Sequence, residues 1–496
     1  MSNSILSVAV IGSGVMGAGI AAHCANAGCK VLLLDIVRDE NDRNAVANSA
    51  VSGMLKSNPE MLMHNRNSKL ITTGNIDDDL SKLSEVDWVI EVVIENLDVK
   101  RDLYNKISKK IGEKTIVSSN TSTIPRIKLV EGMQEEMASR FLITHFFNPP
   151  RYLPLLEVVT ADEVNHSVTE RLCSFADKGL GKKVILCNDT PGFIGNRLGV
   201  YFIQRAFKAT LDHGLTVEQA DAMLGRPIGV PKTGVFGLMD LVGIDLVPYV
   251  TASLLENLPK DDPFHEIAGF GGDIIEDMLS EGYTGRKGKG GFYRLNTDGG
   301  KRVKEARDLT TGEYHTSNRK AAFPSAKMGK QGLGRLIDHP DEGARLVADV
   351  LLDTLSYAAH MVPEVSEDIY SIDTAMRVGY NWKKGPFEMM DSIGVVNLVQ
   401  RLESRGRVVP KMLVLAAEKG SFYDMVDNET NRHTNEGKMV MIDRPPSNIT
   451  VADLKRRGRP LKRNGSASIW DMGDDILLVE YHSKMTAVDP FIIEIL

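Results

Sequence analysis

Four stretches of this 496-residue chain carry side chains able to move a proton at an alcohol carbon: Ser119-Asn120-Thr121-Ser122, His145-Phe146-Phe147-Asn148-Pro149, Glu157, and Pro191 to Arg197 with Asn196 near its end. Oxidising an alcohol by hydride transfer needs a base for the hydroxyl proton, a group that fixes that base, and donors around the oxygen. His145 is the residue here whose ordinary pKa suits proton exchange near neutrality. A lone histidine after an apolar strand is more often a satisfied structural imidazole, so His145 needs company. Glu157 supplies it, because it lies twelve residues on in the next apolar run. Two adjacent strands would bring the carboxylate to the imidazole, orienting the ring and raising its basicity.

The partner for such a base is a hydride acceptor, and the N-terminus points to one. Val8-Ala9-Val10-Ile11 enters the turn Gly12-Ser13-Gly14-Val15-Met16-Gly17, a helix-like segment follows from Ala18 to Gly28, and a second apolar run, Lys30 to Leu34, ends in Asp35. In a G-x-G-x-x-G turn the first glycine permits the tight turn, the second lets backbone approach a pyrophosphate, and the third lets helix pack on strand. The phosphates then sit against free N–H groups at the positive end of the helix. Asp35 accepts hydrogen bonds from the ribose hydroxyls and repels a 2′-phosphate, which favours NAD over NADP. Arg38, three residues on, is the one nearby group able to neutralise such a phosphate.

These residues need a sheet to hold them. Apolar runs recur at Trp88–Ile94, Thr115–Ser119, Phe141–His145, Leu155–Val159 and Lys183–Cys187, separated by helical stretches. That alternation predicts an α/β, doubly wound parallel sheet covered by helices, with ligands at the carboxyl ends of its strands. Asp35, Glu95, Asn120, His145 and Asn148 fall at or just beyond those ends. From Phe193 the texture becomes helical, with a capping box at Thr216 and Gln219, so a boundary is expected near residue 189. Gly234 to Gly243 recurs 151 residues later as Gly385 to Gly394 with five identities in ten positions, and Asp221-Ala222-Met223 is echoed by Asp373 to Met376. The period is too long for a solenoid and predicts a duplicated helical domain.

Composition bounds the rest. The chain is 42% hydrophobic and 25% charged with a formal net charge of −7, which gives no global attraction to nucleic acid or anionic lipid. No apolar run approaches the roughly 18 to 20 residues of a membrane span. Met1 to Ser4 leads straight into the first strand without a signal-peptide pattern, and the four cysteines (Cys24, Cys29, Cys173, Cys187) lack a C-x-x-C pair. Together these features predict reduced thiols in a cytoplasmic setting, and no Cys/His cluster suggests a metal. Residues 441–468, rich in Pro, Arg, Lys and Gly and including Arg444-Pro445-Pro446, read as an extended linker. Within it Arg457-Gly458-Arg459-Pro460, flanked by Lys455, Arg456, Lys462 and Arg463, is similar to an AT-hook core; a solvated basic linker is the plainer reading. The last 28 residues change again, with a strand at Ile476–Val479 and a helix just beginning at Pro490 that has nothing obvious to pack on.

Taken together, Gly12 to Gly17, Glu95-Asn96-Leu97, Ser119 to Ser122, His145 to Pro149, Glu157 and Pro191 to Arg197 resemble the signatures of the L-3-hydroxyacyl-CoA dehydrogenases, over residues 5 to about 425. The resemblance implies NAD-dependent oxidation of an L-3-hydroxyacyl-CoA to the 3-ketoacyl-CoA. His145 would be the acid/base catalyst and Glu157 its orienting partner. Ser122 and Asn196 would hold the substrate oxygens, while Gly12, Gly14, Val15, Met16, Gly17, Asp35, Glu95, Lys100, Ser122 and Asn148 would line the cofactor. The run Gly285 to Tyr293 is similar to a G-R-K-T-G-K-G-F-Y ending, which implies that Lys287 reaches the cofactor; this chain lacks the Thr and has an extra Gly before Phe292. Ser49 and Lys56 fall about where the family holds CoA. A related alternative, a β-hydroxyacid dehydrogenase, would use a catalytic lysine and lack the His-Phe-Phe-Asn-Pro run.

The same resemblance gives the expected layout: a Rossmann-type domain over 1–189, a first helical C-terminal-type domain over 190–295, a second copy over 340–425, the linker over 441–468, and over 469–496 the truncated start of an enoyl-CoA hydratase (crotonase-like) domain. The hydratase half would then be missing. Multifunctional members carry two helical copies that imitate the dimer contact of single-domain relatives, so the second copy, without a P-G-F-x-x-N-R run, is expected to have a packing role.

Overall fold

A computed structural model describes residues 4–298, 300–318, 322–427, 429–442, 449–451, 454–455 and 458–496. Eight strands form the first sheet: β1 (Ser7–Ile11), β2 (Lys30–Asp35), β3 (Ile71–Asn75), β4 (Trp88–Glu91), β5 (Ile116–Ser119), β6 (Phe141–Phe146), β7 (Leu155–Val159) and β8 (Lys183–Cys187). Their order is β3-β2-β1-β4-β5-β6-β7-β8. Helices α1 (Val15–Asn26), α2 (Ala45–Met54), α3 (Leu97–Ile107), the short α4 (Arg126–Val130) and α5 (Glu135–Ala138), and α6 (His166–Lys178) alternate with the strands. The buried core joins Val8 and Val10 of β1 to Ile20 and Ala21 of α1, Ile90 of β4, Leu142 of β6 and Leu172 of α6.

Two features depart from the sequence expectation. The edge strand β3 carries Ile71-Thr72-Thr73-Gly74-Asn75, which has no apolar run, because an edge strand needs less cover; Asn75 instead anchors it by hydrogen bonds to Asn44 and Asp78. The sheet is also not wholly parallel, since β7 runs antiparallel to β6. Only Phe147 to Pro154 joins them, and a parallel return needs a crossover of about a dozen residues or more. Glu157 therefore lies in mid-strand rather than at a carboxyl end.

Beyond the sheet, α7 (Gly195–Asp212), α8 (Val217–Met223), α9 (Phe236–Val242), α10 (Leu246–Asn257) and α11 (Gly272–Ser280) are followed by an antiparallel sheet of β9 (Tyr293–Asn296), β10 (Val303–Arg307) and β11 (Tyr314–Thr316). Then come α12 (Leu333–Ile337), α13 (Glu342–His360), α14 (Ile369–Gly379), α15 (Pro386–Ile393), α16 (Val395–Ser404) and α17 (Lys411–Lys419). The internal repeat is visible in hydrogen bonds. Buried Asp221 accepts from the N–H groups of Val235, Phe236 and Gly237 at the start of α9, and buried Asp373 accepts from Phe387 and Glu388 at the start of α15. A Cβ on Gly234 or Gly385 would lie 2.4 or 2.3 Å from the same aspartates. The two long helices α7 and α13 pack together through Arg205–Asp353 (2.6 Å) and the stacked rings of Tyr201 and Tyr357 (3.9 Å).

Residues 1–420 make one compact unit and 421–496 a second. The second holds two small antiparallel sheets, β12 (Tyr423–Val426), β13 (Glu429–His433) and β14 (Met439–Met441), then β15 (Lys462–Arg463), β16 (Ala467–Asp471) and β17 (Leu477–Tyr481), and ends in α18 (Pro490–Ile495). Two expectations change here. The stretch 441–468 is not a free linker throughout, because Lys462 and Arg463 pair with β16; Arg444-Pro445-Pro446 lies outside the described residues. The final helix does have a partner, since Ile492 and Ile495 are buried against Ala467. In the basic run Arg456 and Arg457 lie outside the described residues, and the Lys455 ammonium pairs with Glu480 at 2.5 Å. Among the described residues no single helix is long and apolar enough to cross a membrane.

Candidate active site

The turn after β1 is built around three glycines with different surroundings. Gly12, at φ +101°, donates its N–H to Leu34 at the end of β2 (2.8 Å), and a Cβ there would lie 2.5 Å from the Val92 carbonyl. A Cβ on Gly17 would lie 1.8 Å from the Gly12 carbonyl, so α1 rests directly on the turn. In front of Gly14 a Cβ would meet nothing within 4 Å. No side chain caps the N-terminus of α1, where Val15 and Met16 begin the helix. An open cradle facing uncapped N–H groups is the site that a pyrophosphate fills. Asp35 is tied to the same turn, accepting from the Ser13 N–H (2.5 Å) and hydroxyl (2.6 Å). Arg38 is exposed beyond it. The open turn and the acid beside it fit NAD.

A buried charged cluster shapes the next part of the cleft. Lys100 of α3 is 1% exposed and bridges Glu91 at the end of β4 (2.7 Å) and Glu95 (3.2 Å). Glu91 also accepts from the Tyr104 and Ser119 hydroxyls, both at 2.6 Å. Glu95 accepts from the Thr121 hydroxyl and the Ser122 and Thr123 N–H groups. Burial pushes the Glu95 carboxyl up, but Lys100 and these donors outweigh it and hold the group below its usual range. The Lys100 ammonium, expected to line the cofactor, is enclosed here by these two carboxylates. Glu91 was missed by sequence reasoning, although an acid inside the apolar Trp88–Ile94 run is itself a signal of a buried partner.

His145 and Glu157 are direct partners in the β6–β7 register. The Glu157 Oε2 lies 2.8 Å from His145 Nδ1, and its Oε1 accepts from the Ile194 (3.1 Å) and Gly195 (2.7 Å) N–H groups. Glu157 is fully buried and His145 is 4% exposed. The Nε2 of His145 has no hydrogen-bond partner among the described residues. Phe147 and Phe193 hold the ring, at centroid distances of 4.7 and 5.6 Å. Phe193 adopts φ 50°, a left-handed conformation that a bulky residue holds only under strain, and such strain clusters at functional sites. Neither phenylalanine was singled out from sequence, because aromatic residues after a strand or before a helix read as core.

Asn196 follows the Gly195 N–H that binds Glu157, and Ser122 follows the Thr121 hydroxyl that binds Glu95; both are half-buried, with side chains unpartnered among the described residues. Asn120 stitches strands instead, accepting from the Phe146 N–H. Asn148 is exposed just past β6. Lys287 pairs with Asp245 at the start of α10 (2.7 Å), and one turn along that helix the Tyr249 hydroxyl reaches the Glu95 carbonyl (3.4 Å). Ser49 on α2 and Lys56 just beyond it are exposed, and among the described residues nothing ties them to the site.

An open glycine cradle, an acid at the end of β2 and a buried His–Glu pair thus lie on one Rossmann-type sheet. Comparison with known proteins gives the class. Residues 7–190 match the family model described as 3-hydroxyacyl-CoA dehydrogenase, NAD binding domain, and residues 192–295 and 346–435 match its C-terminal domain. The chain is 43% identical to a probable 3-hydroxyacyl-CoA dehydrogenase of Deinococcus radiodurans, over 59% of this chain and 84% of that protein. It is 36% identical to a probable 3-hydroxyacyl-CoA dehydrogenase of Bacillus subtilis, over 100% of this chain and 65% of that protein. The fold is shared with 3-hydroxybutyryl-CoA dehydrogenase of Escherichia coli K12 (TM-score 0.63, 24% identity, 84% of this chain and 99% of that one). The chain belongs to the 3-hydroxyacyl-CoA dehydrogenase family. It spans 53–65% of the length of several curated relatives.

Proposed function

We propose that the chain oxidises an L-3-hydroxyacyl-CoA to the 3-ketoacyl-CoA. The observation that carries this reading is the buried His145–Glu157 pair, which fixes the imidazole at Nδ1 and leaves Nε2 for a substrate hydroxyl. NAD, when bound at the Gly12–Gly17 turn, supplies the hydride acceptor. His145 takes the hydroxyl proton at Nε2, and Glu157 stabilises the imidazolium that results. The Ser122 hydroxyl and the Asn196 carboxamide hold the substrate oxygen. Glu95, Asn148 and Lys287 border the cofactor, Asp35 selects it over its 2′-phosphorylated form, and Ser49 and Lys56 meet the CoA end of the substrate.

The test is the reverse reaction. The protein is expected to reduce acetoacetyl-CoA with NADH, and free acetoacetate or NADPH only poorly. His145→Gln is expected to lower kcat by about 10²- to 10⁴-fold while NADH fluorescence titration shows unchanged binding. Wild-type turnover by that variant overturns the assignment, and equal use of the free acid overturns the CoA reading.

The reading extends to organisation. The second helical copy takes the place of the homodimer contact of single-domain relatives, which the α7–α13 packing supports. Residues 469–496 form the opening of an enoyl-CoA hydratase-type fold. A cytoplasmic setting is supported by four free cysteines, three of them buried.

A further inference from the structure

A cavity of about 1120 Å³ lies between α8, the Gly285–Gly290 loop and the β9–β10 hairpin, and no residue of the His145 site lines it. Its wall carries Arg226, Lys232, Arg286 and Lys304. Among the described residues none of the first three forms an ion pair or a side-chain hydrogen bond. The Lys304 ammonium stands 3.6 Å from the Tyr293 ring centroid, and burial lowers its pKa.

Three acids lie on the same wall and each is held by donors of its own, Glu218 by the Asn318 N–H and the His315 ring. Asp221 accepts three backbone N–H groups at the start of α9 and the Tyr293 hydroxyl. Asp240 accepts the Phe292 and Tyr293 N–H groups. Burial is the main influence on both, raising Asp221 to about 7 and Asp240 to about 6, the latter although Arg286 and Lys304 pull it down. Like charges converging on a recess with low-dielectric walls focus a positive field there, which an anion relieves. This occurs on a chain whose net charge is −7. Guanidinium and ammonium groups together are the donors that recognise phosphate, the former in bidentate geometry. The volume is well beyond that of an inorganic ion and matches a ligand of nucleotide size.

We propose that this cavity binds a phosphorylated small molecule of nucleotide size, at a site separate from the Gly12–Gly17 turn. The phosphate-bearing part comes either from a free adenine nucleotide or from the phosphoadenosine end of a CoA, which share the chemistry read by Arg226, Lys232, Arg286 and Lys304.

Calorimetric titration tests this with the whole chain and no other ligand present, so that nothing sharing the phosphoadenosine part fills the cavity beforehand, while NADH fluorescence titration follows the Gly12–Gly17 turn separately. ADP, CoA and inorganic phosphate are then titrated separately. One further site for ADP is expected, and the Arg226→Glu/Lys232→Glu variant is expected to weaken it by about tenfold or more with its melting temperature unchanged. Should that variant fail to fold, Arg226→Gln and Lys232→Gln are each expected to weaken binding by about threefold. Tighter binding of ADP assigns the site to a free nucleotide, and tighter binding of CoA to the thioester carrier. Binding of inorganic phosphate as tight as ADP overturns the nucleotide-sized reading. Absence of binding by both ADP and CoA, or equal binding by the variants, overturns the site.

Discussion

Gly14 and Gly17 stand three residues apart in one turn and are glycines for opposite reasons. Gly14 has ordinary φ (−62°) and open space ahead of it, whereas the Cα of Gly17 abuts the Gly12 carbonyl. The same substitution is therefore expected to separate binding from folding. Gly14→Ala should leave the melting temperature unchanged and weaken NADH in a fluorescence titration, because the methyl enters the phosphate cradle. Gly17→Ala should destabilise the protein by about 1–3 kcal/mol or more through overpacking, read by chemical denaturation. A melting temperature lowered by Gly14→Ala and spared by Gly17→Ala contradicts the assignment. At the second half of the site, Glu157→Gln keeps an acceptor for the Ile194 and Gly195 N–H groups but loses the charge facing His145. Its kcat is expected to fall by about 10²-fold with little change in KM; an unchanged kcat removes Glu157 from the mechanism.

Between elements, the charged seam of α7 and α13 decides how the two helical copies meet. His213, just after α7, sits between Glu342 (2.5 Å) and Asp349 (2.8 Å) of α13. Burial lowers the His213 pKa, but the hydrogen bonds to the two carboxylates outweigh it and raise the group above its usual value. A histidine raised in the folded state contributes stability that is complete below its unfolded pKa of about 6.5. That contribution is lost as pH rises through the higher folded value. Wild-type protein is thus expected to lose more melting temperature than His213→Gln between about pH 6 and pH 8, as read by scanning calorimetry. The difference between the two curves isolates His213 from Asp221, whose raised carboxyl also disfavours high pH. Parallel curves refute the assignment.

For the molecule as a whole, the second copy is keyed to the first and to the sheet at two glycines. A Cβ on Gly199 of α7 would lie 2.0 Å from the Tyr380 hydroxyl, and one on Gly379 would lie 2.5 Å from Leu155 Cδ2 of β7. Tyr380 is close enough to Glu157 for that carboxylate to raise its pKa, after burial itself. The second copy therefore braces the strand that carries the orienting glutamate. Gly199→Val is expected to lower the melting temperature and kcat together, and a loss of neither shows that the brace is dispensable. If the duplicated domain stands in for a dimer contact, sedimentation velocity should give a monomer, and a stable dimer contradicts it.

Much of this was legible in the residues. The Gly12–Gly17 turn, Asp35, the His145 and Glu157 pair and the Gly234/Gly385 repeat are local patterns, and local patterns follow from backbone sterics and periodicity. Strand β3 was hidden because an edge strand needs no apolar run. The direction of β7 was hidden because it depends on the length of the Phe147–Pro154 connection rather than on its own composition. The enclosure of Lys100 between Glu91 and Glu95 is likewise invisible along the chain, where a lysine on a helix reads as solvated. By itself the sequence determined the glycine turn, the acid that ends β2 and the residue types that meet as His145 and Glu157, since each needs only residue type and short spacing. Tertiary structure alone decided that Glu157 meets His145 across an antiparallel pair, that Lys100 pairs with Glu91 and Glu95, and that Gly379, 224 residues beyond Leu155, returns to pack on that strand. Those contacts join residues far apart in the chain, and only packing of the whole sheet against both helical copies sets which of them form.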